Sequence, residues 1–415
     1  MTKTEDTDDG ICDIDCSLRD AIGAARNGDA VVVPAGTYTL TQDELVIGKD
    51  LTLTGSGADS TIIQAADVLG GVTYRVLHIT SGPDGPSPVV AISGVTIRHG
   101  RKSGIYNYRG ILTLLGVVVT ANEHNGYGRG IANEGSLTFI NSSVIGNRNT
   151  HQGGGISNYR GTMSIANSVV SGNTTNGEQA SVGGGIYHFE GTITVDNSTV
   201  SGSIAALHGG GIKNDRGTVT LTNSTVSDNT ADSSGGSSSG GGIRNDGGSV
   251  GLINSTVSGN TVGQMSVGQG GGLYHMDGTI TLINSTVSAN SADRGGGIFN
   301  SRPDEVSLVN TIIAGNSAPS NPDCYGALNS LGHNLTSTNS GCIVPASAGD
   351  LFGFDPTLGP LQDNGGPTLT HALLPGSPAI DATDDGQTPN TDQRGVARPQ
   401  GIVGDIGAFE LGPTP

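Results

Sequence analysis

Short apolar runs alternate with polar residues along the chain, and in its middle part the same alternation recurs. One copy begins with three glycines at Gly153, continues through Ile156 to Asn158, and reaches an Asn-Ser pair at Asn167. The isoleucine position recurs at Ile105, Ile131, Ile186, Ile212, Ile243, Leu273 and Ile298. The Asn-Ser position recurs at Asn141, Asn197, Asn223, Asn254 and Asn284, and as Asn-Thr at Asn310. Successive Asn-Ser positions lie 26 to 31 residues apart. Self-similarity at such a period indicates a solenoid.

Each repeat contains three short segments in which β-branched residues alternate with polar ones, as in Thr199-Val200-Ser201. Alternation with a period of two predicts β-strands, and the Gly and Asn between segments can supply the positive φ of tight corners. Glycine runs and Thr/Val/Ser alternation are poor material for helices. The sequence therefore predicts an all-β fold, a right-handed parallel β-helix solenoid, over residues 31–345.

The asparagines of the Asn-Ser pairs fall at one fixed point of each coil. We expect them to stack into a ladder whose side-chain amides bond to the backbone of the turns. The predicted ladder consists of Asn167, Asn197, Asn223, Asn254 and Asn284. Nearly all variation in repeat length comes after the Ser-Gly-Asn segment, where longer arcs cover residues 174–182, 230–239 and 261–269. Because insertions in a solenoid often collect at its binding edge, these arcs mark a candidate binding region.

The two ends of the chain depart from the repeat. Near the start, Ser17 is a suitable N-cap for a short amphipathic helix. Its apolar face would contain Leu18, Ala21, Ile22 and Ala25. Such a helix would cover the open end of the first coil, whose strand edges would otherwise be unpaired, so residues 1–30 are predicted to form an N-terminal cap. Residues 346–415 are rich in Pro, Gly and Asp, and we expect a small C-terminal module packed on the last coils.

Carboxylates are concentrated around Gly10. They include Asp6, Asp8, Asp9 and Asp13. Oxygen-rich clusters of this kind bind calcium, although the full spacing of an EF-hand loop is missing. A calcium site and a solvated acidic turn are both open interpretations of this stretch.

The four cysteines form two local pairs, Cys12 with Cys16 and Cys324 with Cys342. Neither pair has the second Cys pair or the His spacing of a zinc site, so we predict two disulfides. Disulfides persist in oxidising compartments, which indicates a secreted, extracellular protein.

The formal net charge of the 415-residue chain is −18, and much of it lies near the two ends. This charge argues against nucleic acid or an anionic membrane as a partner. No apolar run is long enough to span a membrane. Aromatic residues make up only 4% of the chain, so the core must be a thin column of Ile, Val and Leu. A solenoid tolerates such a core because each coil needs only its neighbours.

A charged position follows the Ile-x-Asn element in most coils. Its members are Arg109, Glu134, Arg160, Glu190, Arg216, Asp277 and Arg302. The signs alternate in coil order, with one uncharged coil. Because stacked coils lie about 4.8 Å apart, alternation removes repulsion between like charges. A structural charge ladder therefore explains this column without any function.

Two histidines replace the Asn of Ile-x-Asn, each preceded by a tyrosine and followed two residues later by an acid. The two trios are Tyr187, His188 and Glu190, and Tyr274, His275 and Asp277. Tyr, His and carboxylate together could bind sugar or transfer protons. The trios lie three coils apart, about 14 Å, which is too far for one acid/base pair. If the asparagines of the other coils point inward, the two histidines simply take their places in an internal ladder.

Aromatic residues collect at the same corner of the coils. They are Tyr106, Tyr108, Tyr159, Tyr187, Phe189, Tyr274 and Phe299. Aromatic rings beside charged groups, such as Tyr159 beside Arg160, are suited to stacking on sugar rings. We predict a carbohydrate-binding face at this aromatic edge, and an aromatic stack that serves packing alone is the alternative.

Three segments resemble known families. Cys-Ser-Leu-Arg-Asp-Ala-Ile at 16–22 resembles the CSLREA domain of exported bacterial proteins, with Asp20 where that motif has Glu. The repeats resemble those of polymorphic outer-membrane proteins, and residues 358–381 and 405–410 look like a choice-of-anchor Q domain. The resemblance implies a secreted bacterial protein, and we expect it to be attached to the cell surface through an anchor beyond the C-terminal end of this sequence.

The sequence therefore predicts a secreted, cell-surface β-helix that acts as an adhesin or structural protein and contacts polysaccharide or a cell-surface glycan along its aromatic edge. The alternative is a polysaccharide-active enzyme, a lyase or glycoside hydrolase, with its site on one face of the β-helix. No catalytic residue is assigned, and calcium is the one cofactor considered. Fold cannot decide between these functions, because β-helices host both enzymes and adhesins.

Overall fold

The computed structural model describes residues 1–412 apart from 82–84, 125–128, 178–180, 233–236, 264–266, 304, 339–341, 343–345 and 385. Within this part of the chain, one α-helix, Leu18–Ala24, precedes a long stack of parallel strands. The predicted all-β parallel β-helix is confirmed. No helix of the described residues is long and apolar enough to cross a membrane.

The helix begins as predicted, because its first turn is fully capped. The Ser17 side chain accepts a hydrogen bond from the backbone N–H of Asp20, and the Asp20 carboxylate accepts one from the backbone N–H of Ser17. Leu18, Ala21 and Ile22 are buried against the first coils. The helix therefore covers the apolar end of the stack, as the sequence predicts.

The coils build two long parallel sheets, and six coils also contribute a strand to a third, shorter parallel sheet. The first sheet contains two adjoining strips, which we name the Ile-x-Asn strip and the Thr-x-Thr strip after their commonest residues, and two long strands cross both. The second sheet follows after the Asn-Ser corner, and the third is built of two-residue strands before the next glycine run. Copies of the same residue stack in register, as when Ile156 pairs with Ile186.

The strand bounds follow this order. Strands of the Ile-x-Asn strip are Leu45–Ile47, Leu77–Thr80, Ser103–Tyr108, Arg129–Asn133, Ile156–Tyr159, Ile186–Phe189, Ile212–Asp215, Ile298–Asn300 and Cys324–Tyr325. Strands of the Thr-x-Thr strip are Asp29–Val33, Leu51–Gly55, Val89–Ser93, Ile111–Leu115, Ser136–Ile140, Thr162–Ala166, Thr192–Asp196, Thr218–Thr222, Val306–Val309 and Asn329–Ser330. The strands that cross both strips are Ile243–Ile253 and Leu273–Ile283.

The other sheets are smaller. The second sheet contains Gly36–Thr39, Thr61–Gln64, Thr96–Arg98, Val118–Thr120, Ser143–Ile145, Val169–Ser171, Thr199–Ser201, Thr225–Ser227, Thr256–Ser258, Thr286–Ser288, Ile312–Ala314, Leu335–Thr336 and Leu351–Phe352. The third contains Glu123–His124, Arg148–Asn149, Thr174–Thr175, Ile204–Ala205, Thr230–Ala231 and Thr261–Val262. An antiparallel pair, Leu358–Gln362 and Thr370–Leu373, belongs to the C-terminal module.

The asparagine ladder exists, but the prediction assigned it to the wrong asparagines. The Asn of each Asn-Ser pair has a φ of 44 to 50° and forms the outer corner of the coil. The ladder uses the asparagine six residues after that of the Asn-Ser pair, as when the Asn147 side-chain amide donates to Asn173 Oδ1 at 3.0 Å. Farther along, Asn260 donates to Asn290 at 2.9 Å. The left-handed backbone turns the side chain of the Asn-Ser asparagine away from the core, and the following serines bond from coil to coil instead.

The C-terminal module lies along the outer side of the second sheet instead of capping the end of the stack. The Thr225 hydroxyl donates to the carbonyl of Leu369 at 2.7 Å, and the Thr256 hydroxyl donates to Gln393 Oε1 at 2.6 Å. Beside these bonds, Ile406 is buried with Ile312 in one apolar cluster. The module therefore runs back over several coils, while the predicted boundaries of the three units stay a prediction.

Both predicted disulfides are present. Cys12 is bonded to Cys16 and Cys324 to Cys342, with Cα atoms 4.4 and 5.9 Å apart. The first closes the acidic N-terminal loop, and the second links a strand of the Ile-x-Asn strip to the segment that precedes the module.

Candidate functional site

Alternation along the Ile-x-Asn strip separates inner from outer residues. The Ile and Asn positions are buried, so the residue after Ile and the residue after Asn both face outward. We name these outward positions column 1 and column 2. Column 1 contains His78, Tyr106, Ala132, Ser157, Tyr187, Lys213, Arg244, Tyr274, Phe299 and Tyr325. Column 2 includes Tyr108, Tyr159, Phe189 and Asp215. The aromatic edge of the sequence prediction is thus two parallel columns.

His188 and His275 lie inside the coils, with no exposed surface. Asn133 donates to Asn158 at 2.6 Å, and Asn158 lies 3.1 Å from Nδ1 of His188. Gly217 leaves room for the His188 ring, since a Cβ there would overlap it. Burial lowers the pKa of both histidines, so both are neutral at pH 7. Of the two predicted interpretations, the internal ladder is therefore correct, and neither ring can contact a ligand on the outer columns.

The outward aromatic residues form three separate groups. The first contains His78, Tyr106 and Tyr108, the second Tyr159 and Phe189, and the third Tyr274, Phe299 and Tyr325. Tyr187 belongs to none of them: it is 5% exposed and lies in column 1 between Ser157 and Lys213. The aromatic residues of the predicted edge therefore lie in three separate groups, and carbohydrate binding along this edge stays a prediction.

The first aromatic group sits on a charged network. The His78 and Tyr106 rings stack at 5.1 Å, and Arg75 lies 4.8 Å above the Tyr106 ring. Glu44 lies 3.0 Å from His78 Nδ1 and 2.8 Å from Arg75 Nη1. Burial of the Glu44 carboxyl favours its neutral form, but the hydrogen bond from His78 and the charge of Arg75 outweigh burial and lower the pKa of Glu44 to about 2. The Tyr106 hydroxyl donates to Glu134 at 3.0 Å, and burial followed by the Glu134 charge raises the pKa of Tyr106. The polar groups here are largely engaged with one another.

The second aromatic group is the most open. The Tyr159 and Phe189 rings stack at 4.8 Å with an interplanar angle of 7°, and Tyr159 is 39% exposed. Arg160 lies 5.2 Å above the Tyr159 ring, and Arg216 lies 4.5 Å above the Phe189 ring. Between the two guanidinium groups, Glu190 accepts from Arg160 Nε at 2.8 Å. The predicted alternation of charges is thus present here, and it surrounds one exposed ring, Tyr159, and one half-buried ring, Phe189.

The third aromatic group is a run of three rings in column 1. Tyr274 and Phe299 stack at 5.3 Å, and Phe299, which is 6% exposed, stacks on the exposed Tyr325 at 4.5 Å. Arg244 lies 4.8 Å above the Tyr274 ring. Asp277 is exposed, and its backbone carbonyl accepts from the ladder residue Asn245 at 3.0 Å.

Sequence reasoning missed a buried ionic cluster between the second and third groups. Lys213 Nζ lies 2.6 Å from Asp246, which also accepts from Arg244 Nε at 2.7 Å. Burial lowers the pKa of Lys213, and the carboxylate of Asp246 opposes that shift. Burial and the Arg244 charge lower the pKa of His208, which lies beside this cluster, to about 3. Counting residues in strand register would have revealed it, because Lys213 and Arg244 occupy successive places in column 1.

The acidic N-terminal loop is ordered by protein groups. Asp6 accepts two hydrogen bonds from the Arg19 guanidinium, and Asp9 and Asp13 accept from backbone N–H groups two residues ahead. Asp8 is exposed. No set of three or more His, Cys, Asp or Glu among the described residues is arranged to hold a metal ion. The calcium hypothesis stays a prediction.

Comparison with known proteins supports the fold. No protein-family model matches the chain, and no curated protein matches it in sequence. Among solved structures, it is similar to pectate lyase Pel9A, with a TM-score of 0.54 and 16% identity over 95% of this chain and 91% of that one. It is also similar to tailspike protein 3 of bacteriophage CBA120, with a TM-score of 0.43 and 9% identity over 80% of this chain and 55% of that one. At 16% identity the likeness to Pel9A shows the parallel β-helix fold alone.

Proposed function

We propose that this protein is a secreted β-helix that binds polysaccharide along its aromatic edge and serves as an adhesin or structural protein of the cell surface. The observation that carries this proposal is the second aromatic group. Of its stacked rings, Tyr159 is exposed and Phe189 is half-buried, and Arg160, Glu190 and Arg216 surround them. Aromatic rings accept the C–H faces of sugars, while guanidinium and carboxylate groups can hydrogen-bond to sugar hydroxyls.

The spacing of the three groups favours an extended chain over a single sugar. In coil order, Tyr108 and Tyr159 are two coils apart, and Phe189 and Tyr274 are three coils apart. At about 4.8 Å per coil, the gaps are about 10 and 14 Å. A polymer that runs along the solenoid could contact all three groups, whereas a monosaccharide could contact only one.

Secretion is supported by the two disulfides, which persist in oxidising compartments. Attachment to a bacterial surface through a C-terminal anchor rests on the resemblance of the two ends of the chain to CSLREA and choice-of-anchor Q domains. Calcium in the acidic loop is a separate hypothesis, and an unchanged melting temperature after addition of EDTA would contradict it.

The test of glycan binding is a panel of acidic and neutral polysaccharides presented to the wild-type protein and to Y159A/F189A. We expect the variant to bind much more weakly than the wild type to at least one polysaccharide that the wild type binds. The matched control is I145A, which removes an apolar side chain of similar exposure, 39%, from the second sheet. Equal binding by wild type and Y159A/F189A would contradict the proposal, as would the absence of binding to any glycan.

A second candidate function, a polysaccharide lyase, is favoured by Lys213. Burial lowers the pKa of this amine and so favours the neutral base. In a β-elimination, a neutral lysine takes the proton from the carbon beside the carboxylate of a uronic acid. The C–O bond to the leaving sugar breaks as a C=C bond forms, and the leaving oxygen takes a proton from water. This candidate ranks second because Lys213 is only 4% exposed and its ammonium form is paired with Asp246.

The lyase candidate is tested by the ultraviolet absorbance of unsaturated ends during incubation with polyuronates. Product from the wild type and none from K213M would support it, whereas equal product from both would exclude Lys213 as the base. Binding without product would leave the adhesin or structural function.

A further inference from the structure

The Thr-x-Thr strip presents a regular array of hydroxyl groups that the aromatic edge does not involve. In three successive coils, Thr162, Thr192 and Thr218 stand in one outward column, and Ser164, Thr194 and Thr220 stand in the next. The same pattern returns two coils later at Thr279 and Thr281, after a coil in which Gly251 leaves a gap. We name this surface the hydroxyl lattice.

Buried residues hold the hydroxyl lattice in register. Ile193 and Val195 point inward between its members and are fully buried, as are Val219 and Leu221 in the next coil. Neighbouring coils lie about 4.8 Å apart, and residues i and i+2 of a strand lie about 6.7 Å apart. Each coil thus presents two β-branched or hydroxyl-bearing side chains at fixed positions on a rigid support.

The hydroxyls of the hydroxyl lattice face solvent. Thr192, Thr194 and Thr218 are exposed. Within the part of the chain that the structure describes, the Thr218 hydroxyl bonds to Ser249, and the hydroxyls of Thr192, Thr194 and Thr220 bond to no protein group. The second sheet contrasts with this, since its Thr225 and Thr256 hydroxyls bond to the C-terminal module.

The hydroxyl lattice is also almost free of charge. From Ile111–Leu115 to the end of Leu273–Ile283, Asp196 is the one charged residue in the segments that form the Thr-x-Thr strip, and it lies at the end of its strand. The ligand therefore need not be charged. These segments carry no outward aromatic side chain either, which removes the stacking surface that sugar rings favour.

We propose that the hydroxyl lattice binds crystalline water, that is, the surface of ice. In a tetrahedral water network with O–H···O distances of about 2.75 Å, two oxygens bonded to a common neighbour lie about 4.5 Å apart. That separation is close to the coil repeat, so hydroxyls on successive coils match successive water positions in one direction. The threonine methyl groups fill the space between hydroxyls without competing for hydrogen bonds. A rigid, neutral, periodic surface of this kind orders water in a lattice, whereas a flexible charged surface orders it around ions.

The test measures the partition of protein into slowly growing polycrystalline ice and the inhibition of ice recrystallisation. We expect the wild type to concentrate in the ice and T194K/T220K to stay in the liquid. T192K, in the neighbouring column, should show the same loss. The control S171K places a lysine on the outer face of the second sheet and should retain ice binding, as should Y159A/F189A, which separates this inference from the glycan proposal.

Far-UV circular dichroism at 4 °C verifies that each variant keeps its strands. A wild type that remains in the liquid would overturn the inference, and so would a T194K/T220K variant that still enters the ice. Adsorption to crystalline cellulose or chitin that depends on Thr194 and Thr220, without ice binding, would also overturn it in favour of a solid polysaccharide.

Discussion

Two long surfaces of this β-helix, the second sheet and the Ile-x-Asn strip, share the same repeated backbone but differ in what their outward side chains contact. The second sheet is covered by the C-terminal module over several coils, and its outward Thr and Ser hydroxyls bond to module groups, as Thr225 does to Leu369. In the Ile-x-Asn strip, column 2 is more open at Tyr159, and its rings stack on one another and on guanidinium groups, as Tyr159 and Phe189 do. On both surfaces the inner ladders fix the fold, while the outward residues decide whether a face binds protein or remains available to a ligand.

The covered surface depends on a buried polar network in the module. Arg398 donates to the carbonyls of Asp405 and Gly407 and lies 3.7 Å from Glu410, with both side chains 1% exposed. Glu410 in turn accepts from the backbone N–H groups of Gln400 and Asp405. Burial raises the pKa of Glu410, so its negative charge depends on these partners.

The largest expected effect comes from breaking this network with R398A. Removal of one partner of a buried ion pair typically costs about 3–5 kcal/mol, because the remaining charge is left without compensation. In R398A we expect the module to detach at a lower urea concentration than the one at which the solenoid unfolds. Limited proteolysis across a urea series measures both transitions. The exposed Arg302 provides the control: R302A should leave the profile unchanged, and an equal loss in both variants would contradict the role of the network.

Acidification should weaken the same contact. His371 Nδ1 lies 2.7 Å from the Gly359 carbonyl and must donate to it, so Nε2 accepts from the Ser258 hydroxyl at 2.8 Å. Burial lowers the pKa of His371, so the folded state holds the neutral ring where the unfolded state is already protonated. The contribution of His371 to module stability is therefore complete above about pH 6.5 and falls as the pH drops toward the folded pKa.

The measurement is module release by proteolysis at pH 7.5 and pH 5.5, for wild type and H371Q. We expect the pH dependence to be smaller in H371Q. Burial raises the pKa of Asp405 and Glu410, and these carboxyls act in the opposite sense as they become protonated at lower pH. A pH dependence that is identical in wild type and variant would exclude His371 as its source.

The sequence allowed the coils, the cap helix and the disulfides to be predicted, because each depends on local periodicity or short spacing. The lateral position of the module could not be predicted, since Gln393 contacts Thr256 across 137 residues and no repeat encodes that distance. The identity of the Asn ladder was missed for a different reason: one corner residue with positive φ reverses which side chains face inward, and a one-residue error in register moves a side chain to the other face. The cluster around Lys213 was missed because the sequence was not aligned in strand register, where Lys213 and Arg244 occupy the same outward column.

On the open surface, Y159A/F189A should destabilise the solenoid far less than R398A destabilises the module. A stacked aromatic pair contributes about 0.5–1.5 kcal/mol beyond its buried area, and Tyr159 is already 39% exposed. Urea unfolding followed by circular dichroism measures the change. The module should stay protected from protease in this variant, and its early release would show that the two surfaces are coupled.

The smallest effect is expected from the exposed ion pair that frames these rings. Arg160 and Glu190 have side chains 62% and 36% exposed, and exposed pairs lose nearly as much in solvation and side-chain entropy as they gain in attraction. R160Q should therefore leave the urea midpoint unchanged, at low salt as well as at high salt.

The matched buried pair is Lys213 with Asp246, whose side chains are 5% and 20% exposed. K213M should lower the midpoint, because Asp246 then keeps Arg244 as its one cationic partner among the described residues, in a site poorly accessible to water. If R160Q proved as costly as K213M, the open surface would be a structural element of the coils, and its rings would have to be explained by packing.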